Sequence, residues 1–237
     1  MGSAKQLKVY MLPKDTARAA ISISVINTFT CIWGLVVIFG CYFISLYLGA
    51  VPPLGVDIAN WPMISDCFVV QPASFVSRFG MITLAALLWL DSVVFHFFLG
   101  HSPRFGGRGW SDHAGLLFAS IGCICLGIVG AVNEKEDVGI HSTAAVIFFA
   151  FYYIFMIICL VRCYAVTGLD DLGLKFKLLG VVLGLIALAV FVIRYAVTGG
   201  TQTAFAEWLA VITILLYDYT FVFDYDDHVS LQVVDAE

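Results

Sequence analysis

Along most of this chain, apolar residues run in long unbroken stretches, not in the alternation of a strand or the three-and-four spacing of a surface helix. A bilayer crossing takes about 20 such residues. Six stretches reach that length: about Ala19 to Gly49, Phe79 to Gly100, His113 to Val132, His141 to Val166, Phe176 to Val197 and Ala206 to Phe223. Short polar segments rich in Gly, Pro, Asp or Lys separate them. The pattern predicts an all-α integral membrane protein, a bundle of six transmembrane helices. The first stretch exceeds the apolar core of a signal peptide and lacks a small-residue cleavage site, so it reads as a retained helix. Residues 1–18 then form an N-terminal segment and 19–223 the membrane domain, with a long connection over 50–78. Residues 224–237 form an acidic tail that reads as a solvated end and not a module.

Composition agrees with this picture. Of the residues, 61% are hydrophobic and 12% charged, against roughly a quarter charged in a soluble domain. The net charge of -5 and the lack of any basic run exclude nucleic acid as a partner. The placement of Lys and Arg sets the orientation. With the N-terminus inside, Lys5, Lys8, Lys14, Arg18, Arg104, Arg108, Arg162, Lys175 and Lys177 are cytoplasmic, while Arg78, Lys135 and Arg194 are not. Both termini are therefore expected in the cytoplasm and the long loop in a lumen or outside. No zinc-type spacing and no Walker or Rossmann glycine loop is present, so neither metal nor cofactor is expected. Six of the seven cysteines fall in or near spans and only Cys67 in a lumenal loop, which leaves no disulfide between those loops. Gly122, Gly127 and Gly130 in the third span, and Gly180 and Gly184 in the fifth, are places where helices can approach closely.

Ionisable groups at membrane depth are costly and therefore worth explaining. Two sets emerge. At the lumenal helix ends stand Arg78, Asp137, His141, Arg194 and Glu207, joined by Asp66 if the long loop folds over them. Arg194 lies 17 residues beyond Lys177, about 25 Å at the helical rise, and so near the lumenal headgroups. Arginines on the disfavoured side need an anionic partner, either a lipid phosphate or the protein's own carboxylates. Arg78, Arg194 and Asp66 are the candidate headgroup residues; His141, Glu207 and Asp137 are the candidates for proton transfer in acyl transfer or hydrolysis at a lipid. The alternative is a structural ion-pair network that ties helix ends together. No Ser-His-Asp order or G-x-S-x-G elbow names a nucleophile, although Ser65 and Ser142 are near in sequence. The second set, Asp91 and Asp218, falls near mid-bilayer and suits either neutral hydrogen-bonded acids or a proton relay.

Several short motifs carry a resemblance. They are Ile64-Ser65-Asp66 with Gln71-Pro72, Arg78-Phe79, Glu136-Asp137-Val138-Gly139-Ile140-His141, and Ala206-Glu207-Trp208. In order and spacing they resemble the FRAG/DRAM/SFK family of six-span membrane proteins, from the first span to Asp224. That family includes damage-regulated autophagy modulators of lysosomal membranes, plasma-membrane proteins linked to phosphoinositide kinase and lipid asymmetry, and post-GPI-attachment-to-proteins factor two, which acts in GPI-anchor remodelling in the Golgi. The Glu136 to His141 spacing and Arg194 look most like the GPI-remodelling branch; Ser65-Asp66 and Ala206-Glu207-Trp208 look at least as much like the autophagy modulators. The resemblance implies an endomembrane protein that binds a phospholipid or GPI lipid at the lumenal leaflet and supports its remodelling, with Asp137, His141, Arg194 and Glu207 as the matched residues. A membrane scaffold working through a membrane-protein partner, and a proton-coupled transporter built on Asp91 and Asp218, are the alternatives.

Overall fold

The computed structural model describes residues 5–11, 21–55, 57–168, 171–198, 203–225 and 229–235. Lys14, Arg18 and Ala19, expected at the entry to the first span, lie outside them. Among the described residues six helices are long and apolar enough to cross a bilayer. They are α1 (Ile23–Tyr47), α2 (Ala73–His101), α3 (Trp110–Ala131), α4 (Val138–Thr167), α5 (Leu172–Thr198) and α6 (Ala204–Tyr219), the last continued by a 3-10 turn over Thr220–Phe223. Each helix packs on its sequence neighbours and α1 closes the ring against α6. Tyrosines tie α4 across to α6: Tyr217 donates to the Met156 carbonyl at 2.7 Å and Tyr153 to that of Ala210 at 3.0 Å. α5 is held mainly by α6 and is the least buried of the six.

Lipid reverses the usual amphipathic logic, because the solvent is as apolar as the core and packing falls to small and polar residues. α1 accordingly turns Asn27, Thr30, Cys31, Gly34 and Cys41 inward and Phe29, Val36 and Phe43 outward. Several glycines set helix spacing, among them Gly34 against Leu215 of α6 and Gly184 against Tyr153 of α4. A Cβ on Gly80 of α2 meets Val37 of α1 at 2.5 Å, and one on Gly130 of α3 meets Met81 Cβ of α2 at 2.7 Å. Gly127 has nothing within 4 Å and sets no spacing.

Three differences from the sequence expectation stand out. α2 begins at Ala73, not Phe79, because Ala73, Ser74 and Ser77 are small enough to bury against the bundle, which puts Arg78 in the second helical turn. Part of the tail is paired backbone. Val229–Asp235 forms strand β3, antiparallel to β1 (Lys5–Met11) with Lys5 opposite Asp235 and flanked on its other side by the two-residue β2 (Ile21–Ser22). Asp224, expected to open that tail, is buried and paired with Lys177 of α5 at 2.7 Å. The Lys177 ammonium also donates to the Thr220 carbonyl and hydroxyl at 3.0 and 2.9 Å and lies 4.9 Å from the Phe221 ring. At the same end, Arg162 of α4 binds Asp112 of α3 at 2.9 Å and the Gly107 carbonyl at 2.8 Å. Asp112 in turn accepts from the Gly109 amide at 2.6 Å, which fixes the α2–α3 turn.

Candidate functional site

At the opposite end the connection over residues 48–55 and 57–72 folds onto α1 and α6 as a lid. Tryptophan and tyrosine pin it, as suits side chains with an apolar body and one polar tip. The Trp208 indole of α6 donates to the Pro62 carbonyl at 2.9 Å, and the Leu54 amide donates to the Tyr42 hydroxyl of α1 at 2.8 Å. Ser45 donates to the Cys67 carbonyl at 2.8 Å. Glu207, one turn into α6, accepts from the Ile64 amide at 2.8 Å and also from that of Ser65. Asp66 accepts from the Met63 amide at 2.8 Å. The lid thus turns its backbone donors toward two carboxyl groups.

The α3–α4 turn forms the facing rim. Asn133 Oδ1 accepts from the amides of Lys135 and Glu136 at 3.0 and 3.1 Å. Asp137 caps α4, its Oδ1 accepting from the Ile140 amide at 2.9 Å. Arg78 pairs with Glu136, whose carboxyl is held below the usual range by the Asn133 amide and by that arginine. Glu134 meets the Asp66 carboxyl and the Ser65 hydroxyl, and burial beside that second acid raises it to about 7. Cys67 sits fully buried under the lid. Burial, with the Asp66 and Glu207 carboxyls nearby, pushes its thiol up to about 12 and leaves it unreactive.

Between lid and rim opens a small cavity of about 50 Å³. Its walls are apolar, from Ile38 of α1, Leu84 and Leu88 of α2, Leu126 of α3, Phe148 of α4 and Leu215 of α6. Its polar lining is Ser65, His141 and Glu207: a hydroxyl, an imidazole and a carboxylate from lid, α4 and α6. His141 Nδ1 lies 2.7 Å from the Val132 carbonyl. A carbonyl only accepts, so Nδ1 carries the proton and Nε2 is left to take one in the neutral ring.

Of the residues expected here, His141 and Glu207 line one cavity, and Asp66 lies close enough to Glu207 to act on its charge. Asp137 stands one turn before His141 as a helix cap and Arg78 turns to Glu136. Arg194 is half-buried near the C-terminal end of α5. Asp91 and Asp218, half the chain apart, meet inside the bundle, each fully buried. Sequence reasoning passed over Glu134, whose signal was its place in the same turn as Glu136 and Asp137. It noted Ser65 only as a neighbour of Asp66. Among the described residues no group of His, Cys, Asp and Glu has the arrangement of a metal site.

These features define a multi-pass membrane protein with a loop-capped, apolar cavity that has a polar mouth. The chain belongs to the family described as Frag1/DRAM/Sfk1/Cwh43P N-terminal domain, whose model matches residues 22–228 and so takes in all six helices. Neither the curated proteins nor the solved structures gave a match.

Proposed function

We propose that this protein binds a phospholipid or GPI lipid in the cavity beneath the long loop and supports its remodelling. The observation that carries this is the cavity itself, apolar along its walls and polar only at Ser65, His141 and Glu207. That lining suits the polar–apolar junction of an amphiphile, with a few methylenes against Leu84, Leu88 and Phe148, an ester or headgroup at the mouth and the rest of the acyl chain in the surrounding bilayer. His141, with one ring nitrogen engaged by the Val132 carbonyl, is suited to moving a proton at that mouth. The excess of Lys and Arg at the other end favours a lumenal leaflet for the cavity, with both termini cytoplasmic. The family membership and its motifs favour an endomembrane compartment, Golgi or endoplasmic reticulum before lysosome or plasma membrane.

The test is native mass spectrometry of gently purified protein with lipid identification. Wild type is expected to carry a defined anionic or GPI-type lipid. Ala145→Phe, which adds a ring at the cavity wall, is expected to lose it, and His141→Ala to keep it but abolish remodelling. Arg78→Ala/Arg194→Ala tests whether those two arginines add headgroup contacts. Bulk lipid alone, the same in every variant, would refute the proposal.

A non-enzymatic scaffold working through a membrane-protein partner is the second reading. Arg78, Asp137 and Glu207 already have partners within the chain, as structural residues do. On that reading His141→Ala and Glu207→Gln leave function intact and the protein purifies with another polypeptide.

A further inference from the structure

Below the cavity floor, polar side chains of four helices converge at a place the lipid proposal does not use. Asn27 and Thr30 come from α1, Asp91 and Ser92 from α2, Tyr152 from α4 and Asp218 from α6; none is more than 1% exposed. The hydroxyl protons are already committed. Thr30 donates to the Ile26 carbonyl at 3.0 Å, Ser92 to that of Leu88 at 2.8 Å, and Tyr152 to Asp218 Oδ1 at 3.4 Å. Both oxygens of Asp91, Oδ2 of Asp218 and both polar atoms of Asn27 have no hydrogen bond of good geometry, although Thr30 and Asp218 lie close to Asp91, and Asn27 close to Asp218. Acceptors therefore outnumber the protons that Thr30, Tyr152 and Asn27 offer.

The two carboxyls face each other, and the groups acting on them are Thr30, Asn27, Tyr152 and one another, none of them basic. The other titratable side chains acting with the pair are Cys31 of α1, Cys123 of α3, Tyr217 of α6 and Tyr225. These too supply no cation. Two uncompensated carboxylates inside a membrane bundle cost several kcal/mol each. A positive charge that the protein does not provide has to come from outside. A divalent ion takes six to eight oxygens or keeps several waters, more than these enclosed groups offer.

We infer that Asp91 and Asp218, with Asn27 and Thr30, form a binding site for a small exchangeable monovalent cation, Na+ or a proton. This is independent of lipid binding in the cavity above, although Leu88, Ile214 and Leu215 in the cavity wall stand one turn from the two acids.

The experiment follows thermal unfolding of the full chain in lipid nanodiscs. In one arm NaCl replaces choline chloride at constant ionic strength; in the other, pH is varied at fixed salt. A melting temperature that climbs with Na+ identifies Na+, and one that moves with pH alone identifies the proton. Read in a Glu134→Gln background, which removes the pH dependence of the lid contact, either response should shrink in Asp91→Asn and in Asp218→Asn and be kept in Asp57→Asn, a change in the exposed loop. A wild type indifferent to both arms, or a response that survives both membrane variants, overturns the site. Should the Asn variants fail to fold, infrared difference spectra of wild type across each exchange read the carboxyl bands directly, and unchanged bands overturn it equally.

Discussion

Replacing Lys177 with Met takes the paired cation from a buried carboxylate. The ammonium lies 2.7 Å from Asp224 Oδ2; at an effective dielectric constant of ~20, Coulomb's law gives about 6 kcal/mol of attraction at that distance. The bonds to Thr220 add to it. Against this stands the desolvation of two ions, several kcal/mol each. The intact pair is therefore close to break-even, whereas truncating one partner costs about 3–5 kcal/mol by stranding the other. Lys177→Met is expected to fall in that range. Asp224→Leu should fall at its lower end, because the stranded ammonium keeps the Thr220 oxygens and the Phe221 ring. The double variant Lys177→Met/Asp224→Leu should return to within about 2 kcal/mol of wild type. Unfolding by sodium dodecyl sulfate titration in mixed micelles measures all four proteins. A Lys177→Met protein within about 1 kcal/mol of wild type, or a double variant that costs the sum of the singles, refutes the reasoning.

Three further outcomes are expected. Glu134, raised to about 7 when folded against 4.5 ordinarily, binds its proton more tightly in the folded state; its stabilising contribution is full below about 4.5 and is lost as pH rises through 7. Glu134→Gln should flatten the melting-temperature profile in that window, and parallel profiles would discount the Asp66 contact. Gly130→Ala puts a methyl 2.7 Å from Met81 Cβ and 3.3 Å from the Ile82 amide nitrogen and should cost about 1–3 kcal/mol; Gly127→Ala, in open space, should be neutral, and equal melting shifts would refute the packing account. Asp137→Ala should lose about 1 kcal/mol with the helix cap while Asp137→Asn, also a good cap, behaves as wild type; remodelling lost in the Asn variant would mean that the carboxylate is needed for chemistry.

The six helices were legible because lipid demands long apolar runs and little else imitates them. Boundaries were blurred where small polar residues are buried: Ser74 and Ser77 read as loop although they pack inside α2. The short alternation of Leu7, Val9 and Met11 against Val229, Leu231 and Val233 was outweighed by the acidic character of the tail, and the strands went unread. Depth along a helix follows from the 1.5 Å rise, so Asp91 and Asp218 were expected at similar depth, and the fold brings them together. Their partnership depends on how α2 and α6 are rotated about their own axes, which apolar runs do not encode. Lys177 fared worst. By position it belonged with the cytoplasmic lysines, and only the packing of the 3-10 turn after α6 reveals its buried partner.

The pairing of Asp91 with Asp218 also imposes an order on biogenesis. Chains are made and inserted from the N-terminus, so α2 enters the membrane about half a chain length before α6 exists. During that interval Asp91 sits in a nascent helix whose insertion it penalises by about 2.5–3.5 kcal/mol, offset by the leucines and phenylalanines around it. The sixth helix is the one that relieves the second. A chain truncated before α6 therefore presents a half-built polar site to the membrane, a ready mark of incompleteness for the quality-control machinery that surveys unassembled helices.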